Sequence, residues 1–158
     1  MKSKELQDLF KERNYTLALA ESCTGGNIAH QLTLISGSSE YFLGSVTAYS
    51  NSVKRNVLGV SEKDLNNFGA VSEPVAIHMA AGIKKLLNSD YSCSTTGIAG
   101  PTGGNNEKPV GTVWIGISGP NGTKAKKYLF TGDRESIIAQ ATNQAILDVI
   151  KIVETDIL

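Results

Sequence analysis

The chain has 158 residues, 41% of them apolar, with 15 Lys plus Arg against 15 Asp plus Glu. That length suits one domain able to bury its own core, and a net charge of zero removes the global field that would draw it to nucleic acid or an anionic membrane. No run reaches the roughly 18 apolar residues of a membrane span, the amphipathic amino-terminal stretch is unlike a signal peptide, and two cysteines make neither a disulfide framework nor a zinc site. The expected setting is therefore the reducing cytoplasm.

From Lys4 to Arg13, Leu6, Leu9 and Phe10 recur at helical spacing and predict a short amphipathic helix. Leu17 to Ala20 reads as a buried strand, Glu21 to Gly26 breaks it, and Ile28, Ala29, Leu32 and Ile35 resume a helical period. Phe42 to Tyr49 is a second strand, followed by a helical segment with Val53, Val57 and Leu58, and Ser61 can cap a further turn. Ser72-Glu73-Pro74 starts a longer helix with Val75, Met79, Ile83 and Leu86 on its apolar stripe. Tyr91 to Thr96 is a third strand, and Gly97 to Pro109 a long loop of the kind that carries function. Val110 to Ser118 and Thr123 to Phe130 form a hairpin around Gly119-Pro120-Asn121-Gly122. Asp133 caps a last helix carrying Ile137, Ala141, Ala145 and Val149.

This order predicts an α/β fold. It is a single three-layer α/β/α sandwich over residues 1–158, with a mixed sheet of about five strands, one antiparallel. Ligands of such sheets bind beyond the carboxyl ends of the strands. Ser22, the region after Tyr49 and Gly97 to Pro101 are thereby brought to one crevice.

Ser22, at a strand-to-helix turn, can be a nucleophile beside the amides of Cys23, Thr24 and Gly25; equally, Ser22 or Thr24 can simply cap the helix. Cys23 is the stronger nucleophile by nature, but strand alternation lets only one of Ser22 and Cys23 face the crevice. His30 and His78 fall inside helices, away from strand ends, so a base must be sought among lysines. Lys54 is the best placed, although a helix lysine can also be a solvated one. Gly97 to Gly104 lacks both the P-loop ending and the dinucleotide fingerprint. Arg134, at the start of the last helix, suits a phosphate or a developing negative charge. Lys124, Lys126 and Lys127 read as a solvated edge strand.

Six blocks in order go further: Ala20 to Gly26, Tyr49-Ser50-Asn51 with Lys54, Gly69 to Glu73, Thr96 to Pro101, Lys108 to Val113 and Gly132-Asp133-Arg134. Together they resemble the CinA carboxy-terminal domain family, which includes bacterial nicotinamide-nucleotide amidohydrolases. The resemblance implies conversion of nicotinamide mononucleotide and water to nicotinic acid mononucleotide and ammonia. In that reading Ser22 is the nucleophile, Lys54 its base and Tyr49 an assistant. Amides near Thr24 and Gly25 stabilise the oxyanion, and Thr96, Gly97, Gly100, Lys108 and Arg134 bind the substrate. It further implies a homo-oligomer, with a dimer favoured, that needs no metal or cofactor, in the form that stands alone without the large amino-terminal domain of fused members. Asn105-Asn106 departs from the hydroxyl or acidic residue common in relatives. The rivals are a non-catalytic nucleotide-binding regulatory or partner-binding module, and a cysteine enzyme using Cys23.

Overall fold

The computed structural model describes residues 1–156. Its elements are α1 (Lys2–Arg13), β1 (Leu17–Glu21), α2 (Asn27–Thr33), a 3-10 turn (Ser38–Glu40), β2 (Phe42–Thr47), α3 (Asn51–Asn56), α4 (Glu62–Phe68), α5 (Glu73–Leu87), β3 (Tyr91–Gly97), β4 (Thr112–Gly119), β5 (Gly122–Leu129) and α6 (Arg134–Thr155). The sheet runs β2-β1-β3-β4-β5. β1 is parallel to β2 and β3, and β4 is antiparallel to both β3 and β5. One strand of five, β4, thus runs against the rest, as expected. The β4–β5 turn is a two-residue loop closing on the pair Gly119 and Gly122.

Strand alternation divides the core into two unlike halves. Leu17 and Leu19 of β1, Cys93 of β3 and Val113, Ile115 and Ile117 of β4 face a layer of α1, α2 and α6, where Leu6, Phe10, Ile28, Ile146 and Val149 pack. Ala18 and Ala20 face the other way, onto Val75, Met79 and Ile83 of α5 with Leu58 and Val60. Small residues on this second face let α5 lie close against the sheet. A side-chain carbon on Gly116 would come within 2.5 Å of the Ala76 carbonyl oxygen. Ser92 and Ser94, one pleat apart, donate to the carbonyls of Ala80 and Ala76, each at 2.6 Å. These two serines take up backbone acceptors of α5, while Thr95 and Thr96 bond to Thr24 and to the Ala70 carbonyl, which keeps the polar side chains of β3 buried with partners.

Side-chain caps set three helix starts. Ser50, Ser61 and Asp133 accept the amides of Val53, Asp64 and Ser136. Ser72 precedes α5 as its spacing suggested, but its hydroxyl turns back to donate to the Gly69 carbonyl at 2.8 Å. No helix among the described residues is long and apolar enough to cross a membrane.

Candidate active site

β1 and β3 end side by side at the carboxyl edge of the sheet. The Ser22 amide adds one more sheet-like bond, donating to the Thr95 carbonyl at 2.9 Å, so the residue after β1 is fixed as firmly as the strand itself. Across from it, the Ala48 amide donates to the Glu21 carbonyl at 2.8 Å. This carries the chain past β2 into α3, whose first turn is closed by Ser50. A helix begun there places Lys54 one turn in, pointing back toward the strand ends.

Lys54 is 1% exposed. Its Nζ lies 2.9 Å from Ser22 Oγ, 2.8 Å from the Ala48 carbonyl and 3.2 Å from the Tyr49 carbonyl, and among the described residues no carboxylate lies within ion-pair distance. Burial pushes the ammonium's pKa below its ordinary 10.5 because the charged form loses water. Nζ can donate to all three oxygens as an ammonium; once neutral, it keeps two N–H bonds for the carbonyls and has a lone pair for the Ser22 hydroxyl proton. That is the arrangement of a nucleophile beside a base.

A cavity of about 270 Å³ opens onto this pair. Seven of the ten residues expected at the site line it: Ser22, Tyr49, Lys54, Thr96, Gly97, Gly100 and Arg134. Thr96 Oγ1 gives its proton to the Ala70 carbonyl at 2.8 Å, so toward the cavity it can only accept. Gly97 is glycine because of packing. A side-chain carbon there would meet Val113 Cγ2 at 2.7 Å and the Thr112 carbonyl at 2.8 Å. Arg134 spans the mouth, donating to the Gly100 carbonyl at 2.7 Å and to the Tyr49 hydroxyl at 3.0 Å.

Three of the ten, Gly25, Thr24 and Lys108, do not line the cavity. The Gly25 amide is engaged, donating to the Ser22 carbonyl at 3.0 Å, because the chain after β1 closes a tight turn. Among the described residues, the amides of Cys23 and Thr24 have no oxygen acceptor, and of these two residues Cys23 lines the cavity. The Thr24 side chain is 3% exposed and away from the cavity, its hydroxyl held between Glu21 Oε1 and Thr95 Oγ1 at 2.7 Å each. Lys108 also lies outside the cavity: its ammonium donates to the Phe68 carbonyl and clamps the long loop to the end of α4. Tyr49 holds Lys54 through its carbonyl, while its hydroxyl belongs to the Arg134 contact at the rim.

Cys23 also touches the cavity. Both Ser22 and Cys23 do so because β1 stops at Glu21 and alternation ends with it. Cys23 is 8% exposed, and burial pushes the pKa of its thiol up to about 12, so the thiol stays protonated and weakly nucleophilic at neutral pH. Neither His30 nor His78 reaches the cavity; His78 Nδ1 lies 3.2 Å from Asp64. Asn105 has a local role: its side-chain oxygen accepts the amides of Glu107 and Lys108, an Asx turn that shapes the loop. The residue sequence reasoning left unassigned is Glu21, fully buried behind Ser22. A carboxylate closing an otherwise apolar strand was the signal for it.

A family model described as the CinA C-terminal domain matches residues 1–153. A CinA-like protein of Geotalea uraniireducens (strain Rf4) is 54% identical over 129 residues, which are 82% of this chain and 31% of that protein. One of Salinibacter ruber is 53% identical over 129 residues, with the same two shares. The chain thus spans about a third of the length of the curated relatives it matches. Among solved structures, a competence-damaged protein (CinA) superfamily protein from Klebsiella pneumoniae 700603 superposes with a TM-score of 0.94 at 32% identity, covering 98% of this chain and 96% of that one. A competence/damage inducible protein from Agrobacterium tumefaciens gives 0.92 at 35%, covering 95% and 92%. With the motif blocks, the strand order and the whole length of the domain in agreement, the chain belongs to the CinA C-terminal domain family.

Proposed function

We propose that this chain is a serine amidohydrolase that converts nicotinamide mononucleotide and water to nicotinic acid mononucleotide and ammonia. The observation that carries the reading is the 2.9 Å contact between a buried lysine and the Ser22 hydroxyl, with carbonyls receiving the amine's remaining bonds.

In the reaction, neutral Lys54 takes the Ser22 proton as Oγ attacks the carboxamide carbon, and the carbonyl oxygen becomes an oxyanion facing the Cys23 and Thr24 amides. Protonated Lys54 then gives its proton to the leaving nitrogen, the C–N bond breaks, and ammonia departs. Water attacks the acyl-serine, giving its proton to Lys54. Collapse releases the carboxylate and returns a proton to Ser22 Oγ. Thr96 Oγ1 accepts an N–H of the carboxamide. Arg134 receives the nucleotide's phosphate at the rim, and no step needs a metal or cofactor. The chain acts in the cytoplasm as a homo-oligomer, a dimer first, which sedimentation of the purified protein tests.

The decisive experiment incubates the purified chain with nicotinamide mononucleotide and follows ammonia and nicotinic acid mononucleotide together. Equal release of both, abolished by Ser22→Ala, supports the proposal. Saturable binding without turnover refutes it in favour of a regulatory nucleotide-binding module.

A further inference from the structure

We infer that Glu21, through Thr24, is the positioning residue that holds the Ser22 turn in its reactive shape. This rests on the amidohydrolase reading above for its rate predictions. Glu21 closes β1 on the face that carries Leu17 and Leu19, opposite to Ala18 and Ala20, so its side chain enters the α2 layer, away from the cavity. There it is 0% exposed and, among the described residues, no cation lies within ion-pair distance. Its partners are donors of the turn and helix that follow Ser22. Oε1 accepts the Ile28 amide at 2.9 Å and the Thr24 hydroxyl at 2.7 Å; Oε2 accepts the Ala29 amide at 3.0 Å and, at 3.5 Å, the Ser45 hydroxyl.

The carboxylate therefore takes the place of the missing cap of α2, whose preceding residue is Gly26, and it suits the positive end of that helix. Both of its oxygens are acceptors, so Thr24 gives its one proton to Glu21 and must receive the bond from Thr95. The chain of hydroxyls has one direction, Thr95 to Thr24 to Glu21. Thr95 in turn accepts the Ser22 amide through its carbonyl. Ser22, Thr24 and Thr95 are thus locked to one another and to α2 by a group that never meets substrate. The same lock occupies the amides of Ile28 and Ala29 and leaves those of Cys23 and Thr24 without an oxygen acceptor.

Two variants test this. Glu21→Gln keeps the shape but replaces one acceptor oxygen by a donor facing a donor. Thr24→Val is nearly isosteric and removes only the hydroxyl link. Each is followed by kcat and KM for nicotinamide mononucleotide, and by the rate at which a fluorophosphonate labels Ser22, read by peptide mass. The labelling needs no carboxamide turnover.

The expected result is a kcat at least 100-fold lower for Glu21→Gln and about tenfold lower for Thr24→Val, with KM within threefold of the parent in both. Ser22 labelling should slow in parallel, and Thr24→Ser should recover most of the rate. Either variant keeping kcat and labelling within threefold of the parent overturns the inference, as does a loss confined to KM. If Glu21→Gln does not fold, Thr24→Val alone decides. If the parent labels at Ser22 but releases no ammonia, the amidohydrolase reading fails while the labelling rates still judge the positioning role; a parent that does not label overturns the inference.

Discussion

Replacing Lys54 by methionine removes the amine while keeping an unbranched stem of similar length in a site that is 1% exposed. Three contacts vanish, to Ser22 Oγ and to the carbonyls of Ala48 and Tyr49. A positioned general base contributes about 10²–10⁴ in rate, equivalent to about 3–5 kcal/mol of barrier. We expect kcat for ammonia release from nicotinamide mononucleotide to fall by that factor in Lys54→Met, and equally in Lys54→Arg, which cannot lose its proton. The parent's kcat/KM should rise with pH and level off with a midpoint below 10.5, because burial lowers the Lys54 pKa and only the neutral amine accepts the serine proton. The Cys23 thiol, pushed up to about 12, is too high to supply that rise. A Lys54→Met enzyme within tenfold of the parent, or one that keeps the same alkaline rise, would refute the assignment.

Three further outcomes follow from the same geometry. Since the folded lysine has the lower pKa, the unfolded chain binds the extra proton in the interval up to 10.5, so Lys54 costs least at its top; the melting temperature of Lys54→Met minus that of the parent should shrink from pH 7 to pH 10, and a difference that grows would contradict it. Cys23→Ala should keep kcat within about threefold, and iodoacetamide at pH 8 should leave Cys23 of the folded parent unmodified; prompt alkylation there argues against a buried neutral thiol. Gly97→Ala should lose about 1–3 kcal/mol, as overpacking usually does, since one of its contacts is the immovable Thr112 carbonyl; calorimetry showing an unchanged melting temperature would sink this.

The sequence made the element order legible where periodicity and local chemistry agreed, as in Asp133 before α6 and the Gly119 to Gly122 turn. Ser22 and Lys54 could be brought to one edge by topology, because Ser22 directly follows β1 and Lys54 lies in the helix that follows β2. What escaped were contacts that depend on where a long side chain ends or which amide a turn has already engaged. Lys108 has the right residue type in the right block, but its four-carbon stem turns to Phe68. Gly25 has the freedom to expose its amide, yet the turn gives that amide to Ser22. Tyr49 acts on Lys54 through its main chain, a contribution no pattern of side chains can signal. In the sequence Glu21 reads as the start of the break after β1, and its role is hidden because its partners include the backbone donors of Ile28 and Ala29, seven and eight positions on.

The extra rung between the Ser22 amide and the Thr95 carbonyl gives the Ser22 hydroxyl an inflexible footing, whereas the rim above it depends on an exposed tyrosine and an arginine. Protons on that amide can exchange with solvent only when the central strands part, so deuterium uptake at this single position should track opening of the whole sheet. The Ser22 turn and the folding core would then share one clock, and fluctuations that admit a ligand at the mouth would leave it unmoved.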